Sequence, residues 1–140
     1  MGVGLKLDVI ATTTMGQTSD KIADLGINLG EFDVLAALRR TGKPYALTPS
    51  ALISQNLVTS GTMTNRLDRL EELQLITREQ DPDDGRGSLV TLTKSGMRAV
   101  DAALESLLEN ERELLGSLTA KDRELLADLL SKLVTEFDEN

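Results

Sequence analysis

The most constraining stretch of this chain is residues 60–92, where a helical pattern is followed directly by a two-stranded pattern. In its first part, large apolar residues recur at every third or fourth position, at Met63, Leu67, Leu70 and Leu73. This spacing is that of the buried stripe of an amphipathic helix, and Thr59 or Ser60 can cap the helix start. We therefore predict a helix over about residues 60–73, with one face in the core and the other in solvent.

The second part of the stretch predicts a β-ribbon over about residues 75–92, which we call the wing. Two short apolar runs, at 75–78 and 88–92, flank the sequence Asp-Pro-Asp-Asp-Gly at 81–85. Because proline, aspartate and glycine favour a tight turn, the two runs are expected to pair as antiparallel strands.

The solvent-facing side of the predicted helix carries small, hydroxylated and cationic residues. They are Ser60, Gly61, Thr62, Thr64, Asn65, Arg66 and Arg69. A helix fits the major groove of duplex DNA, and the tip of a ribbon can reach the flanking minor groove. The helix and the wing together predict binding to double-stranded DNA, the helix serving as the recognition helix.

The residue types indicate how this face would contact DNA. Asparagine suits adenine and arginine suits guanine through two-point contacts, so Thr64, Asn65 and Arg66 are expected to contact base edges or phosphates. Gly61 and Thr62 allow close approach of the helix start. The alternative is an ordinary polar helix face.

Two further contacts are less specific. Arg69 is expected either to contact a phosphate or to pair with Asp68 or Glu72. Ser50 starts the preceding helix, where its hydroxyl and backbone N–H can bind a phosphate.

Arg86 is the strongest single candidate for DNA contact. An arginine at the tip of a ribbon can enter a narrow, electronegative minor groove. Asp84 either holds this guanidinium in place or only shapes the turn. The alternative is that Arg86 is a solvated turn residue paired with Asp83 or Asp84.

The residues before the recognition helix predict the rest of a helix-turn-helix. Asn28 and Glu31 have capping-box spacing, and an apolar helical pattern follows them. Thr48-Pro49 is a typical helix start, with a capping hydroxyl before proline at the first helical position. Residues 28–92 are thus predicted to form a winged helix-turn-helix, in a fold that is mostly α with a small β-wing.

The start of the chain has a weaker pattern. Apolar residues alternate from Val3 to Val9, which hints at a short strand, whereas glycines and a run of threonines within residues 1–18 favour a mobile N-terminal arm. Residues 19–27, capped by Ser19, predict a short first helix that contributes to the dimerisation region.

Residues 93–140 predict a hairpin of two helices with more large apolar side chains than one small domain can bury. Burying one such side chain is worth about 1.5–3 kcal/mol, which favours a second copy of the chain as partner. The side chains assigned to dimerisation are Leu107, Leu114, Leu126, Leu130, Leu133 and Phe137. The alternative is that the hairpin folds back on its own domain.

Charge and composition narrow the function. The net charge is −8, but residues 39–98 hold nine Lys and Arg against seven Asp and Glu, and local charge sets phosphate affinity. The chain has no cysteine and no histidine, which removes thiolate chemistry and the commonest general base and metal ligand. We therefore predict no enzyme, no metal and no cofactor. No apolar run approaches the roughly 20 residues of a membrane span, and no signal peptide is evident, so a cytoplasmic location is expected.

Three stretches, 29–35, 64–71 and 81–93, carry a family resemblance. Through them the chain resembles the multiple-antibiotic-resistance regulator (MarR) family over about residues 20–137. The resemblance implies a homodimeric transcription factor, usually a repressor, that binds a pseudo-palindromic operator. It also implies release from DNA by a small-molecule effector in many members, although the sequence does not indicate which residues would bind one.

Two features depart from the family pattern. The family's first helix is usually longer than the one predicted here, so either the native start lies upstream or the dimer base is reduced. Gln74 stands where glycine is common after the recognition helix, and a small local strain is expected there. The late start and the net acidity motivate an alternative function, a winged-helix protein–protein interaction module that no longer binds DNA. The exposed cations of residues 60–86 argue against it.

Overall fold

A computed structural model describes residues 2–83, 85 and 87–138, apart from the side chains of Phe137 and Asp138. In chain order the elements are α1 (Val3–Ala23), α2 (Leu29–Arg40), β1 (Ala46–Leu47), α3 (Pro49–Asn56), α4 (Ser60–Glu72), β2 (Ile76–Gln80), β3 (Ser88–Leu92), α5 (Lys94–Leu114) and α6 (Ala120–Asp138). The strands form an antiparallel sheet in the order β1-β3-β2. The predicted fold class, mostly α with a small β-wing, is confirmed.

The chain divides into two compact units, the first ending at Leu107 and the second beginning at Leu108. The boundary lies within α5 and not at residue 93, where the C-terminal helices were predicted to begin. The reason is that the first half of α5 buries Val100 and Ala103 in the core of the first unit.

Helix starts in the first unit are fixed by side-chain caps. The backbone N–H of Asn28 donates to Glu31 Oε1 at 2.8 Å, and the N–H of Glu31 donates back to Asn28 Oδ1 at 2.8 Å. This is the capping box that the spacing predicted. Thr48 and Thr59 cap α3 and α4 by accepting from backbone N–H groups three residues later, both at 3.2 Å.

The core of the first unit holds the recognition helix α4 in place. Met63, Leu67 and Leu70 of α4 are buried. They belong to one apolar cluster with side chains of α2, α3, α5 and the sheet, including Leu35, Leu38, Leu52, Ile76, Val90 and Val100. The predicted stripe of α4 is therefore the buried one, and the other side of the helix is left to solvent.

The sheet joins the wing to the start of α5. The β2–β3 register runs from Ile76 opposite Leu92 to Gln80 opposite Ser88. At the start of α5, Gly96 packs against the backbone of Leu75. A Cβ on this residue would lie 2.1 Å from the Leu75 carbonyl oxygen. Glycine is therefore required at this contact, which fixes where α5 leaves the sheet.

The N-terminal prediction is wrong. Residues 3–23 form one 21-residue helix, α1, in place of an arm or strand over 1–18 and a short helix over 19–27. Apolar residues two apart lie about 200° apart around a helix, so the alternation from Val3 to Val9 places apolar side chains on two opposite sides. Those side chains are exposed, and Ile22 is the buried residue of α1. No core-facing stripe marks the helix because its own chain buries so little of it.

The backbone at Gln74 is left-handed, as its position suggested. Gln74 has φ 61°, and Leu57, in the turn between α3 and α4, has φ 52°. This region costs a residue with a side chain roughly 1–2 kcal/mol. The fold accommodates both, so the expected small local strain at Gln74 is confirmed without loss of the wing.

In the second unit, α6 begins with a second reciprocal cap. Asp122 N–H donates to Thr119 Oγ1 at 3.1 Å, and Thr119 N–H donates to Asp122 Oδ2 at 3.3 Å. Large apolar side chains along the unit are exposed: Leu108, Leu114, Leu125, Leu129, Leu130, Leu133 and Val134. Among the described residues, no helix is both long enough and apolar enough to cross a membrane.

The residues assigned to dimerisation divide into three groups. Leu114, Leu130 and Leu133 are exposed, and Leu126 is half-buried. Leu107 is partly buried against the core of the first unit, and its role in dimerisation stays a prediction. The side chain of Phe137 lies outside the described residues.

Candidate nucleic-acid interface

The outer face of α4 presents the side chains that the sequence assigned to DNA. Ser60, Gly61, Thr62, Thr64 and Asn65 are all exposed. With about 100° between successive residues, Asn65 lies some 200° from the buried Met63, at the outermost line of the helix. Ser50 is exposed at the start of α3. The starts of α3 and α4 thus both offer hydroxyl groups to solvent, and α4 adds an amide group.

Hydrogen bonds within α4 orient its hydroxyl groups. The Thr59 hydroxyl donates to Thr62 Oγ1 at 3.0 Å, which secures the first turn. The Thr64 hydroxyl donates to the Ser60 carbonyl oxygen at 2.9 Å, so its oxygen is turned outward as an acceptor. A base amino group, a donor, would therefore suit Thr64 better than a phosphate.

Arg66 lies at the edge of α4 that faces α2 and is half-buried. Its guanidinium rests on Gly30, where a Cβ would come within 2.6 Å of Cζ and Nη2. Partial loss of water raises the pKa of the nearby Asp33 carboxyl, while the charges of Arg66 and Arg40 act in the opposite direction. Arg66 is thus ordered by the protein at the border of the exposed face.

Arg69 does not pair with Asp68 or Glu72, the two predicted partners. Its Nη2 donates to the Gly26 carbonyl oxygen at 2.9 Å, and its Nε lies 2.9 Å from Glu31 Oε2 in an ion pair without the alignment of a hydrogen bond. Glu31 is 1% exposed and Arg69 is 54% exposed. The guanidinium therefore joins α4 to the loop before α2, and its predicted phosphate contact stays a prediction.

Arg78 of β2 makes contacts beside the candidate interface that the sequence reasoning missed. Its Nη2 lies 2.7 Å from Asp68 Oδ1 and 3.0 Å from Glu71 Oε1, both on the α4 edge nearest the wing. Hydrogen bonding to Arg78 lowers the pKa of Glu71, and Glu71 in turn raises the pKa of Arg78. The three-residue spacing of the two carboxylates, which puts them on one helix edge, was the available signal.

The wing turn is described in part. Asp81 N–H donates to the Gly87 carbonyl oxygen at 2.9 Å, and Asp83 N–H donates to Asp81 Oδ1 at 2.9 Å. Gln80 Nε2 donates to the Gly85 carbonyl oxygen. Asp84 and Arg86 lie outside the described residues, so their predicted roles stay predictions.

Carboxylates elsewhere do not assemble into a metal site in the part of the chain that the structure describes. No group of three or more aspartate and glutamate side chains is placed there to hold an ion. The groups that the candidate interface on α4 offers to a ligand are therefore hydroxyl, amide and guanidinium groups.

Comparison with known proteins gives a consistent family. A model described as MarR family matches residues 25–87. The chain is 36% identical over 103 residues to the HTH-type transcriptional regulator PecS of Dickeya dadantii (strain 3937), covering 74% of this chain but only 62% of PecS. It is 31% identical over 99 residues to the transcriptional regulator HosA of Escherichia coli O111:H-, covering 71% of this chain and 73% of HosA.

Solved structures agree with this. The apo form of wild-type MarR from E. coli is similar with a TM-score of 0.79 and 27% identity, covering 95% of this chain and 96% of that one. A cysteine-to-serine mutant of MarR complexed with operator DNA is similar with a TM-score of 0.72 and 27% identity, covering 94% of this chain and 92% of that one.

Proposed function

Because this chain belongs to the MarR family, we propose that it is a transcriptional regulator that binds a specific double-stranded DNA sequence as a homodimer. The observation that carries the proposal is the outer face of α4, where exposed hydroxyl and amide groups stand on a helix fixed by its buried stripe. A mutant of the similar protein MarR is complexed with operator DNA, which supports duplex DNA as the partner.

In the proposed complex, α4 enters the major groove. Asn65 stands outermost and suits adenine, while Arg66 at the helix edge suits guanine and Thr64 accepts from a base amino group. Ser50 and Ser60, at the starts of α3 and α4, would position the protein on phosphates through hydroxyl and backbone N–H groups. Base contacts thus supply specificity, and phosphate contacts supply register.

The charges around α4 fit this role despite the net charge of −8. Asp68 and Glu71 would repel phosphate if they stood alone. Arg78 pairs with both carboxylates and so offsets one of their two negative charges at the edge of the helix nearest the wing. The predicted alternative, a protein–protein module, is not favoured, because the similar protein MarR is found complexed with operator DNA and the similar curated proteins are transcriptional regulators.

The homodimer rests on the unburied apolar side chains of α1 and α6. The first part of α1 carries exposed apolar residues on two opposite sides, and a helix of this kind is more stable when a partner buries it. A symmetric dimer would place two copies of α4 in successive major grooves, about 10 bp or a multiple of it apart, on a pseudo-palindromic operator. We also propose that the protein represses transcription and that a small-molecule effector releases it from the DNA. Binding to chromosomal DNA would require the expected cytoplasmic location.

Fluorescence anisotropy tests the function directly. Labelled DNA from upstream of the protein's own gene is titrated with the protein, beside a scrambled duplex of equal length, across a series of salt concentrations. We expect tighter binding to the upstream DNA at one dimer per site, with affinity falling steeply as salt rises. Equal affinity for both duplexes would contradict sequence-specific binding.

Arg86→Ala tests the proposed wing contact. We expect a loss of roughly 1–3 kcal/mol in operator binding, the size of a single good arginine contact. Arg98→Ala, which removes an exposed cation from α5, controls for the loss of charge alone. Operator binding by Arg86→Ala as tight as that of the control would remove the wing from the interface.

A further inference from the structure

Gly30 and Arg66 form a contact that was not among the contacts predicted for the DNA surface. Gly30 is the second residue of α2, and all three of the nearest atoms to a Cβ built there belong to the Arg66 guanidinium, at 2.6, 2.6 and 2.7 Å. A real Cβ could not be accommodated at these distances unless the guanidinium moved. The glycine surface is thus occupied by the end of the arginine side chain.

The backbone does not explain why this residue is glycine. Gly30 lies inside α2, whereas Gly26 and Gly42 have the positive φ angles that favour glycine. Within a helix, glycine is less stabilising than alanine. The backbone thus gives no reason for glycine in the first turn of α2, whereas the arginine side chain lying on it does.

Charge favours the same position of Arg66. The carboxyl of Asp33, one turn along α2 from Gly30, attracts the Arg66 guanidinium; Arg40 acts on the same carboxyl. The neighbouring arginine of α4, Arg69, is already engaged by Glu31 and the Gly26 carbonyl oxygen. The Arg66 guanidinium thus has contacts on its α2 side, and its residue lies on α4 between the buried stripe and the exposed face.

We infer that Gly30 is a positioning residue for DNA recognition, which holds the Arg66 guanidinium on the first turn of α2 in the conformation that contacts the operator. The inference rests on the proposed function. An arginine ordered before binding loses less side-chain entropy when it makes a two-point contact, so its position contributes to affinity for the correct sequence.

Gly30→Ala is the informative variant because stability and binding should change in opposite senses. Alanine favours the helix, so the melting temperature should stay equal or rise. The Cβ displaces the guanidinium, so operator affinity should fall about 5- to 20-fold, within the range of one two-point arginine contact. Affinity for scrambled DNA should change little. Glu105→Ala, which places alanine at an exposed position of α5 in the first unit, is the control and should bind as the wild type does.

A double-mutant cycle with Arg66→Ala separates positioning from a general effect on α2. Gly30→Ala should cause no further loss of operator affinity in the Arg66→Ala background, because the group it displaces is absent. An equal loss in both backgrounds, or wild-type affinity for Gly30→Ala, would overturn the role of Gly30. If the wild-type protein itself does not distinguish operator from scrambled DNA, the proposed function fails first, and that result is distinct from both.

Discussion

The helices α4 and α6 carry the same kind of apolar stripe in opposite surroundings. In α4, Met63, Leu67 and Leu70 are at most 3% exposed, whereas Leu130 and Leu133 of α6 are 39% and 49% exposed. The apolar stripe of α4 is buried by its own chain, so the direction of its polar face is fixed. The other has an apolar face that the single chain leaves in water. The proposed recognition surface on α4 is therefore complete within one chain, whereas the proposed dimer surface on α6 needs a second copy to bury it.

This difference has an energetic consequence for assembly. Each large side chain that α6 transfers from water to an interface contributes about 1.5–3 kcal/mol, and a symmetric dimer uses every such residue twice. α1 has the same character, with Val3, Leu5 and Val9 exposed along its first turns. We therefore expect association to depend on α1 and α6, and DNA contact to depend on α4.

The double variant Leu130→Glu/Leu133→Glu should have the largest effect and would break the comparison from the α6 side. Two carboxylates in the apolar stripe should weaken the dimer by at least about 3 kcal/mol. Sedimentation velocity over a concentration series measures this, and operator affinity should fall with it. Lys132→Glu, on the other side of α6, controls for added negative charge. A variant that stays dimeric at every concentration would mean that this stripe lies outside the interface.

Leu70→Ala tests the same comparison from the α4 side. Leu70 is fully buried, so its truncation should lower the free energy of unfolding by about 2–5 kcal/mol. Leu130→Ala, measured by urea unfolding at a concentration where the chain is monomeric, should cost less than about 0.5 kcal/mol. Similar losses for the two leucines would show that α6 is buried within the single chain, against the difference in exposure.

The sequence was sufficient wherever one chain buries its own pattern. The stripe of α4, the capping box at Asn28 and the turn chemistry of the wing each produced the element expected, with bounds within a few residues. α1 was missed because its apolar alternation suggested a strand and its glycines and threonines suggested a mobile arm, whereas α6 was recognised from a clear stripe although its own chain leaves that stripe exposed.

The candidate site was predictable by residue type but not by contact. The exposure of Ser60, Gly61, Thr62, Thr64 and Asn65 follows from the helix period alone. The contacts of Arg66 with Gly30, of Arg69 with Glu31 and of Arg78 with Asp68 join residues far apart in sequence or on different elements. Propensity and spacing do not specify such pairs, because they depend on how α2 and the wing pack against α4.

Glu31→Gln should have the smallest effect and would sharpen the account of how α4 is fixed. Glutamine can still accept the Asn28 N–H of the capping box, so the change removes mainly the negative charge beside Arg69. A buried carboxylate that loses its ionic partner is normally costly, but here the charge left over is that of Arg69, which is 54% exposed and can be hydrated. We therefore expect a loss of about 1 kcal/mol in unfolding free energy, close to the value for a partly exposed pair. Glu105→Gln, at an exposed position of α5, should be neutral in the same urea titration. A loss several times larger for Glu31→Gln would mean that the ion pair, and not the apolar stripe, is what chiefly holds α4 against α2.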